Sequence, residues 1–203
     1  MSPIRALIFD LDGVLRLWSH ELVYRLLAEL GVPPVALEEA VAREPACTMA
    51  KYGFTTHDDW IMAVTSALAE THPDAAEEAV RYWSTSRGML APKTVEHLTE
   101  LRSNHAVAIL TNSTDRYEED IQALGLNVLV DAVSSSCRTR IPKPSPHAFL
   151  GVCARLSVEP GECLYTDDLE EHVVGARHAG LHAFEWSGWD DYRARLHALE
   201  RAG

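Results

Sequence analysis

Two carboxylates stand two residues apart in Asp10-Leu11-Asp12-Gly13, directly after the apolar run from Ile4 to Phe9. Acids this close repel each other unless a cation or a proton comes between them. A second acidic pair, Asp167-Asp168, follows the apolar Cys163-Leu164-Tyr165 and Thr166, and clustered carboxylate oxygens suit a hard cation. Between the pairs lie two further segments. Leu110-Thr111-Asn112-Ser113 joins hydroxyls and an amide to exposed backbone N–H groups, and in Ile141-Pro142-Lys143-Pro144-Ser145-Pro146 prolines stiffen the chain on both sides of one lysine. N–H groups ahead of a helix, together with a hydroxyl, could cradle phosphate oxygens.

Each fragment alone also has a plainer reading. The D-x-D-G turn is a solvated loop or the start of a calcium loop, Thr111 and Ser113 are helix caps, and Lys143 is a surface cation. The calcium loop fails on Val14 at its fifth position and on the lack of a glycine at its sixth. The order acid pair, hydroxyl, lysine, acid pair, each at or just beyond the end of an apolar run, has no comparable plain reading.

The elements that must position these residues follow from the same runs. Ile4 to Phe9 is apolar but for Arg5, with no alternation from Ala6 on, which is how a strand buried on both faces of a parallel sheet reads. Ala106–Leu110, Val128–Val130, Cys163–Tyr165 and Leu181–Phe184 read the same way. Helical patterns separate them: Arg116 to Leu124, stopped by Gly125; a helix opened by Ser145-Pro146; and Glu170 to Ala179, stopped by Gly180. This alternation predicts an α/β, Rossmann-like parallel sheet with helices on both faces and functional loops at the carboxyl ends of its strands. One long interval breaks it. Between Arg16 and Gly88 no strand is convincing, whereas Glu21 to Leu30 carries an apolar stripe, Asp58 can cap a helix to Glu70, and Pro73 can open one to about Trp83. The expected organisation is a core of residues 1–15 and 89–203 with an inserted small helical cap at 16–88, the helix from Lys93 to Ser103 leading back to the sheet.

Composition narrows the function classes. A chain of 203 residues can bury one sizeable core plus a smaller accessory piece. Its formal net charge of −12 argues against nucleic acid or an anionic membrane as partner. Any phosphorylated ligand must then be attracted locally, by a bound cation and a few well-placed basic residues. Cys47, Cys137, Cys153 and Cys163 show neither C-x-x-C spacing nor a dense framework, which fits a reducing cytoplasm. The opening run after Met1-Ser2-Pro3 is too short before its first acids for a signal or membrane segment.

The motif order resembles the haloacid dehalogenase-like superfamily, phosphatase-type with a small helical cap. The matching residues are Asp10-Leu11-Asp12-Gly13-Val14, Thr111-Asn112, Lys143-Pro144-Ser145-Pro146 and Asp167-Asp168, and the match spans essentially the whole chain. The resemblance implies a phosphatase acting on a small phosphorylated molecule, with Asp10 as nucleophile and Asp12 as proton donor and acceptor. It implies that Thr111, Asn112 and Lys143 hold phosphate oxygens. It implies Mg²⁺ on Asp10, the Asp12 carbonyl and Asp168, with Asp167 behind them. Dehalogenation would use the same nucleophile, but the relatives that perform it lack an acid at the position of Asp12; a sugar phosphomutase shares both acids. A phospho-accepting signalling or binding protein would place its aspartate after the third strand and carry no cap. His172 departs from the family pattern and is expected to hydrogen-bond a nearby loop, with metal tuning as the alternative. Arg16, Trp18, Arg43, Lys51 and Tyr52 are expected on the cap surface or in its core, with approach to the pocket as the alternative, and Trp186 and Trp189 in edge packing, with a dimer contact as the alternative. Substrate identity and oligomeric state are not legible.

Overall fold

In the computed structural model, which describes residues 3–202, five parallel strands form one sheet. They are β1 (Ala6–Phe9), β4 (Ala106–Thr111), β5 (Ala132–Ser135), β6 (Cys163–Asp167) and β7 (His182–Glu185), in the order β5-β4-β1-β6-β7. Met1, Ser2 and Gly203, the outer residues of the expected core span, lie outside the described residues.

Alternate side chains of β1 enter two cores, which is why its sequence is apolar throughout. Leu7 and Phe9 pack on one face with Leu98 and Leu101 of α6 (Thr94–Leu101), Ile121 of α7 (Tyr117–Ala123) and Tyr192 and Leu196 of α11 (Trp189–Ala202). Ala6 and Ile8 pack on the other with Phe149 and Val152 of α9 (Pro146–Leu156) and Ala176 of α10 (Glu170–His178). Trp189 stacks on His97 and tilts against Phe9, so the C-terminal tryptophans are packing residues beneath β1. The chain leaves β1 to one side through β4 and β5 and returns on the other through β6 and β7. The strand order therefore reverses at β1, where open α/β sheets form their ligand crevice.

Five helices fill the interval 16–88: α1 (Glu21–Glu29), α2 (Pro34–Ala42), α3 (Ala46–Lys51), α4 (His57–Ala69) and α5 (Ala76–Thr85). Four of them, α1, α2, α4 and α5, share an apolar cluster of their own, including Val23, Leu27, Leu37, Val64, Leu68 and Val80. Their two connections to the sheet pair with each other as an antiparallel ribbon, β2 (Arg16–Leu17) with β3 (Met89–Leu90).

Several expectations need correction. Val128–Val130 is not a strand: Leu126–Val128 is a 3-10 turn, and pairing to β4 starts at Ala132. The apolar run marks burial of a turn, for Val130 enters the core from it, while Asp131 bridges to the Val107 backbone before the strand begins. The ribbon β2/β3 was not legible because two residues carry no periodicity. Helix α4 is capped by Thr56, which forms a reciprocal capping box with Asp59, so Asp58 lies inside its first turn. Helix α5 begins at Ala76, after turn residues that include Pro73. No helix among the described residues is long and apolar enough to cross a membrane.

Candidate active site

β1 stops at Asp10 because the chain turns at Asp12-Gly13, where Gly13 has φ +79 and a side chain would collide with the Asp168 carboxylate. That close approach seats Asp168 against the first acidic loop. Asp10, Asp167 and Asp168 each offer a carboxylate oxygen within 4.8 Å of the other two. β4 and β6 flank β1 directly, so Thr111 and Asp167 end on either side of Asp10, both fully buried.

Lys143 reaches between the acids. Its Nζ lies 2.7 Å from Asp10 Oδ1 and 2.7 Å from Asp167 Oδ2 in a buried setting. Asn112 holds the lysine's main chain, with Nδ2 donating to the Lys143 carbonyl at 2.9 Å and Oδ1 accepting from its N–H at 2.9 Å. Its amide thus braces the lysine's main chain. Beneath the loop, Gly175 of α10 admits the Pro144 carbonyl where a Cβ would stand 2.4 Å away.

Burial raises the Asp10 carboxyl from 3.8 to about 6, against the opposing pull of Lys143. Burial also pushes Asp168 up, reinforced by the neighbouring charge of Asp167. Asp167 is buried too, yet His172, Lys143 and Tyr165 together hold it below the usual carboxylate range. It accepts from Lys143, from the Tyr165 hydroxyl, from the Leu169 N–H at 3.0 Å and from His172 Nδ1 at 3.0 Å. His172 therefore bonds the Asp167 carboxylate rather than a loop, a correction to the plain reading. A divalent cation suits this donor set: Asp167 is saturated by orienting bonds, while the buried Asp10 and the exposed Asp168 stand close together and repel each other as free anions.

Asp12 sits apart from this cluster. Arg16 grips it with Nε at 2.7 Å from Oδ1 and Nη2 at 2.9 Å from Oδ2, and Trp18 Nε1 donates to Oδ1 at 2.7 Å. A cavity of about 260 Å³ adjoins it, between the strand ends and the helices of 16–88, with Arg16, Trp18, Lys51, Trp60 and Trp83 in its wall. Of the expected peripheral residues, Arg43 is on the surface paired with Glu70, and Tyr52 is not in the cavity wall, whereas Arg16, Trp18 and Lys51 are. His57, missed from sequence, also lines the cavity; its N–H donates to Asp115 at 2.7 Å and its Nδ1 lies 3.0 Å from Thr114 Oγ1. Burial, then the charge of Arg116, lowers its pKa, so it faces the cavity region as a neutral imidazole.

A parallel sheet whose strand ends gather three carboxylates, two of them held by one lysine, places a polar acidic site at the switch point of an α/β fold. The chain belongs to the haloacid dehalogenase-like hydrolases, whose family model matches residues 4–180. It is similar to N-acylneuraminate-9-phosphatase of Mus musculus, 28% identical over 92% of this chain and 83% of that protein. A phosphatase of Mycobacterium tuberculosis is 32% identical over 89% of this chain and 86% of its own length. An (S)-2-haloacid dehalogenase of Burkholderia cepacia is 29% identical over 89% and 82%. Among solved structures, a HAD family enzyme of Bacteroides thetaiotaomicron, in complex with magnesium and inorganic phosphate, superposes with a TM-score of 0.71 at 18% identity, covering 93% of this chain and 98% of that one.

Proposed function

We propose that this hydrolase is a magnesium-dependent phosphatase that cleaves a small phosphomonoester through a phosphate ester on Asp10. The observation that carries the reading is a buried Asp10 carboxylate aimed at one lysine and clustered with two further acids. The Asp10 carboxylate attacks phosphorus in line, the bond from phosphorus to the leaving oxygen breaks, and Asp12 gives that oxygen a proton. Water then attacks the phosphorus of the aspartyl phosphate, Asp12 takes the proton that the water loses, and Asp10 departs as the carboxylate. Lys143 holds positive charge beside the reacting oxygens, and Thr111 closes the neighbouring strand end. Asp10, Asp168 and the Asp12 carbonyl would hold the magnesium ion, which supplies charge neutralisation for an incoming phosphate, and Asp167 orients that set.

In this reading residues 16–88 form the cap over a core of 1–15 and 89–203. The cavity between them falls below the usual range of about 300–1,000 Å³ for drug-sized ligands, which favours a leaving group of monosaccharide size or smaller. Four free cysteines accord with a reducing compartment, here taken as the cytoplasm. The names of two relatives as phosphatases favour phosphate esters, and the presence of Asp12 separates the chain from the dehalogenation pattern.

Phosphate release across a panel of phosphomonoesters, with magnesium and with EDTA, tests this function. Turnover that requires magnesium and vanishes in Asp10→Asn is the expected result. Retained turnover in Asp10→Asn would refute the covalent route, and halide release from 2-haloacids in place of phosphate would transfer the chain to the dehalogenases. An isomerised phosphate ester among the products would make it a mutase.

A further inference from the structure

Arg16 is almost fully buried on β2, yet its guanidinium serves two carboxylates at once. One edge of the fork grips both oxygens of Asp12, and the remaining Nη1 donates to Asp120 Oδ2 of α7 at 2.8 Å. Asp120 is itself 4% exposed, and its other oxygen accepts from Arg87 Nη1 at 2.6 Å. Arg87 stands just before β3, on the return crossing from the cap. Next to it, Arg116 donates to the carbonyls of Ser84 and Ser86, and its Nε lies 3.4 Å from Asp120. Both crossings between cap and core are thus fastened to one carboxylate, and the outgoing one extends that fastening to Asp12.

We propose that Arg16 and Asp120 are positioning residues for Asp12, tying the orientation of its carboxylate to the seat of the cap. The inference rests on Asp12 acting as proton donor. If Arg16 only anchored the ribbon, its bond to Asp120 would suffice. Instead its two-pronged face is spent on an acid whose side chain is 40% exposed at the cavity. A bidentate arginine fixes the plane of a carboxylate as well as its place, and the Trp18 indole adds a third donor while its ring lies 4.5 Å from the Arg16 guanidinium carbon. Because Arg16 is buried, it cannot trade Asp120 for water without shifting its grip on Asp12. Proton donation works only within about 2.6–3.2 Å of the leaving oxygen, and a displacement of about 1 Å can cost on the order of 10²-fold.

The test compares two leaving groups on the full chain with magnesium. p-Nitrophenolate departs as a stabilised anion and needs little protonation, whereas the alkoxide of glycerol 3-phosphate needs a proton as the bond breaks. Arg16→Lys keeps a cation but loses the fork; Asp120→Asn keeps the shape but loses the charge. In both, the ratio of kcat/KM for glycerol 3-phosphate to kcat/KM for p-nitrophenyl phosphate should fall by about tenfold or more, because kcat/KM reports the step in which the leaving group departs, whereas hydrolysis of the aspartyl phosphate is common to both substrates. Arg87→Met, at a partly exposed site outside the cavity wall, should move the ratio in the same direction without a folding defect. A wild-type ratio in all three variants, or equal losses on both substrates, overturns the proposal. Asp12→Asn sets the limiting ratio. If that variant keeps the wild-type ratio, the proton-donor role falls and this inference with it, whereas loss of all turnover in Asp10→Asn would still leave the covalent route standing.

Discussion

Replacing Asp10 with Asn should stabilise the metal-free protein, and the size of the effect follows from its burial. Asp10 is 6% exposed, and its carboxyl is raised from 3.8 to about 6 chiefly by burial, with Lys143 opposing. An acid whose folded pKa exceeds its unfolded one binds its proton more tightly in the native state. It therefore withdraws stability as pH rises from about 3.8 to about 6 and holds that deficit constant above. At roughly 1.36 kcal/mol per pK unit, the deficit at neutral pH is on the order of 3 kcal/mol. The Asp10→Asn change removes the buried charge, while the oxygen of the new amide can still accept from Lys143, which keeps Asp167 as ionic partner. With about 2–4 °C per kcal/mol for a domain of this size, the upper bound is roughly 6–12 °C in Tm. Thermal unfolding by circular dichroism in EDTA at pH 7.5 and at pH 5 measures it. The gain should be clear at pH 7.5, about halved at pH 5, and reversed in sign when magnesium is added, because the ion stabilises only the protein that retains the carboxylate. An Asp10→Asn protein less stable than wild type in EDTA at pH 7.5, or a gain independent of pH, would refute the account.

Magnesium must displace the proton from Asp10, so its apparent affinity should drop about tenfold or more per pH unit below about 6 and level off above; calorimetric titration at pH 5, 6 and 8 checks this, and a flat profile contradicts it. His172→Gln removes a buried donor to Asp167 and should weaken magnesium binding by about 10–100-fold while substrate KM at saturating metal changes little. Gly53 has φ +70, and a Cβ there would stand 2.0 Å from the Cys137 carbonyl, so Gly53→Ala should push the end of α3 off α8 (Ser136–Thr139) at a cost of about 1–3 kcal/mol. Raised KM and faster limited proteolysis between cap and core are the expected readouts, and neither changing would show that the cap does not rest on that contact. Gly175→Ala drives a methyl into the Pro144 carbonyl and should lower kcat by displacing Lys143, with little effect on magnesium affinity.

Much of the site was legible because its residues lie at the ends of strands that announce themselves. A strand buried on both faces has to be apolar throughout, so the Ile4 to Phe9 run located β1 and placed Asp10 at its carboxyl end. The prolines around Lys143 and the second acidic pair after Cys163-Leu164-Tyr165 were visible for the same local reasons. Where local signals mislead, the misreading is physical. Val128–Val130 is apolar because one end of a turn is buried, and β5 goes unnoticed because Ala132-Val133-Ser134-Ser135 is half polar, with its serines buried at the strand end.

Sequence alone determined four of the sheet's five strands, their motif-bearing ends and the residue types gathered there, since each depends on hydrophobic periodicity or chain stiffness within a few neighbours. Tertiary structure decided the partners. That Asn112 braces Lys143, that His172 holds Asp167, and that Arg16, while gripping Asp12, reaches Asp120 across 104 residues are matters of distance in space. A buried charge has no preference written into its own neighbourhood in the chain; it takes whichever opposite charge the packed elements bring within about 3 Å, and only the folded arrangement of helices over strands sets that choice.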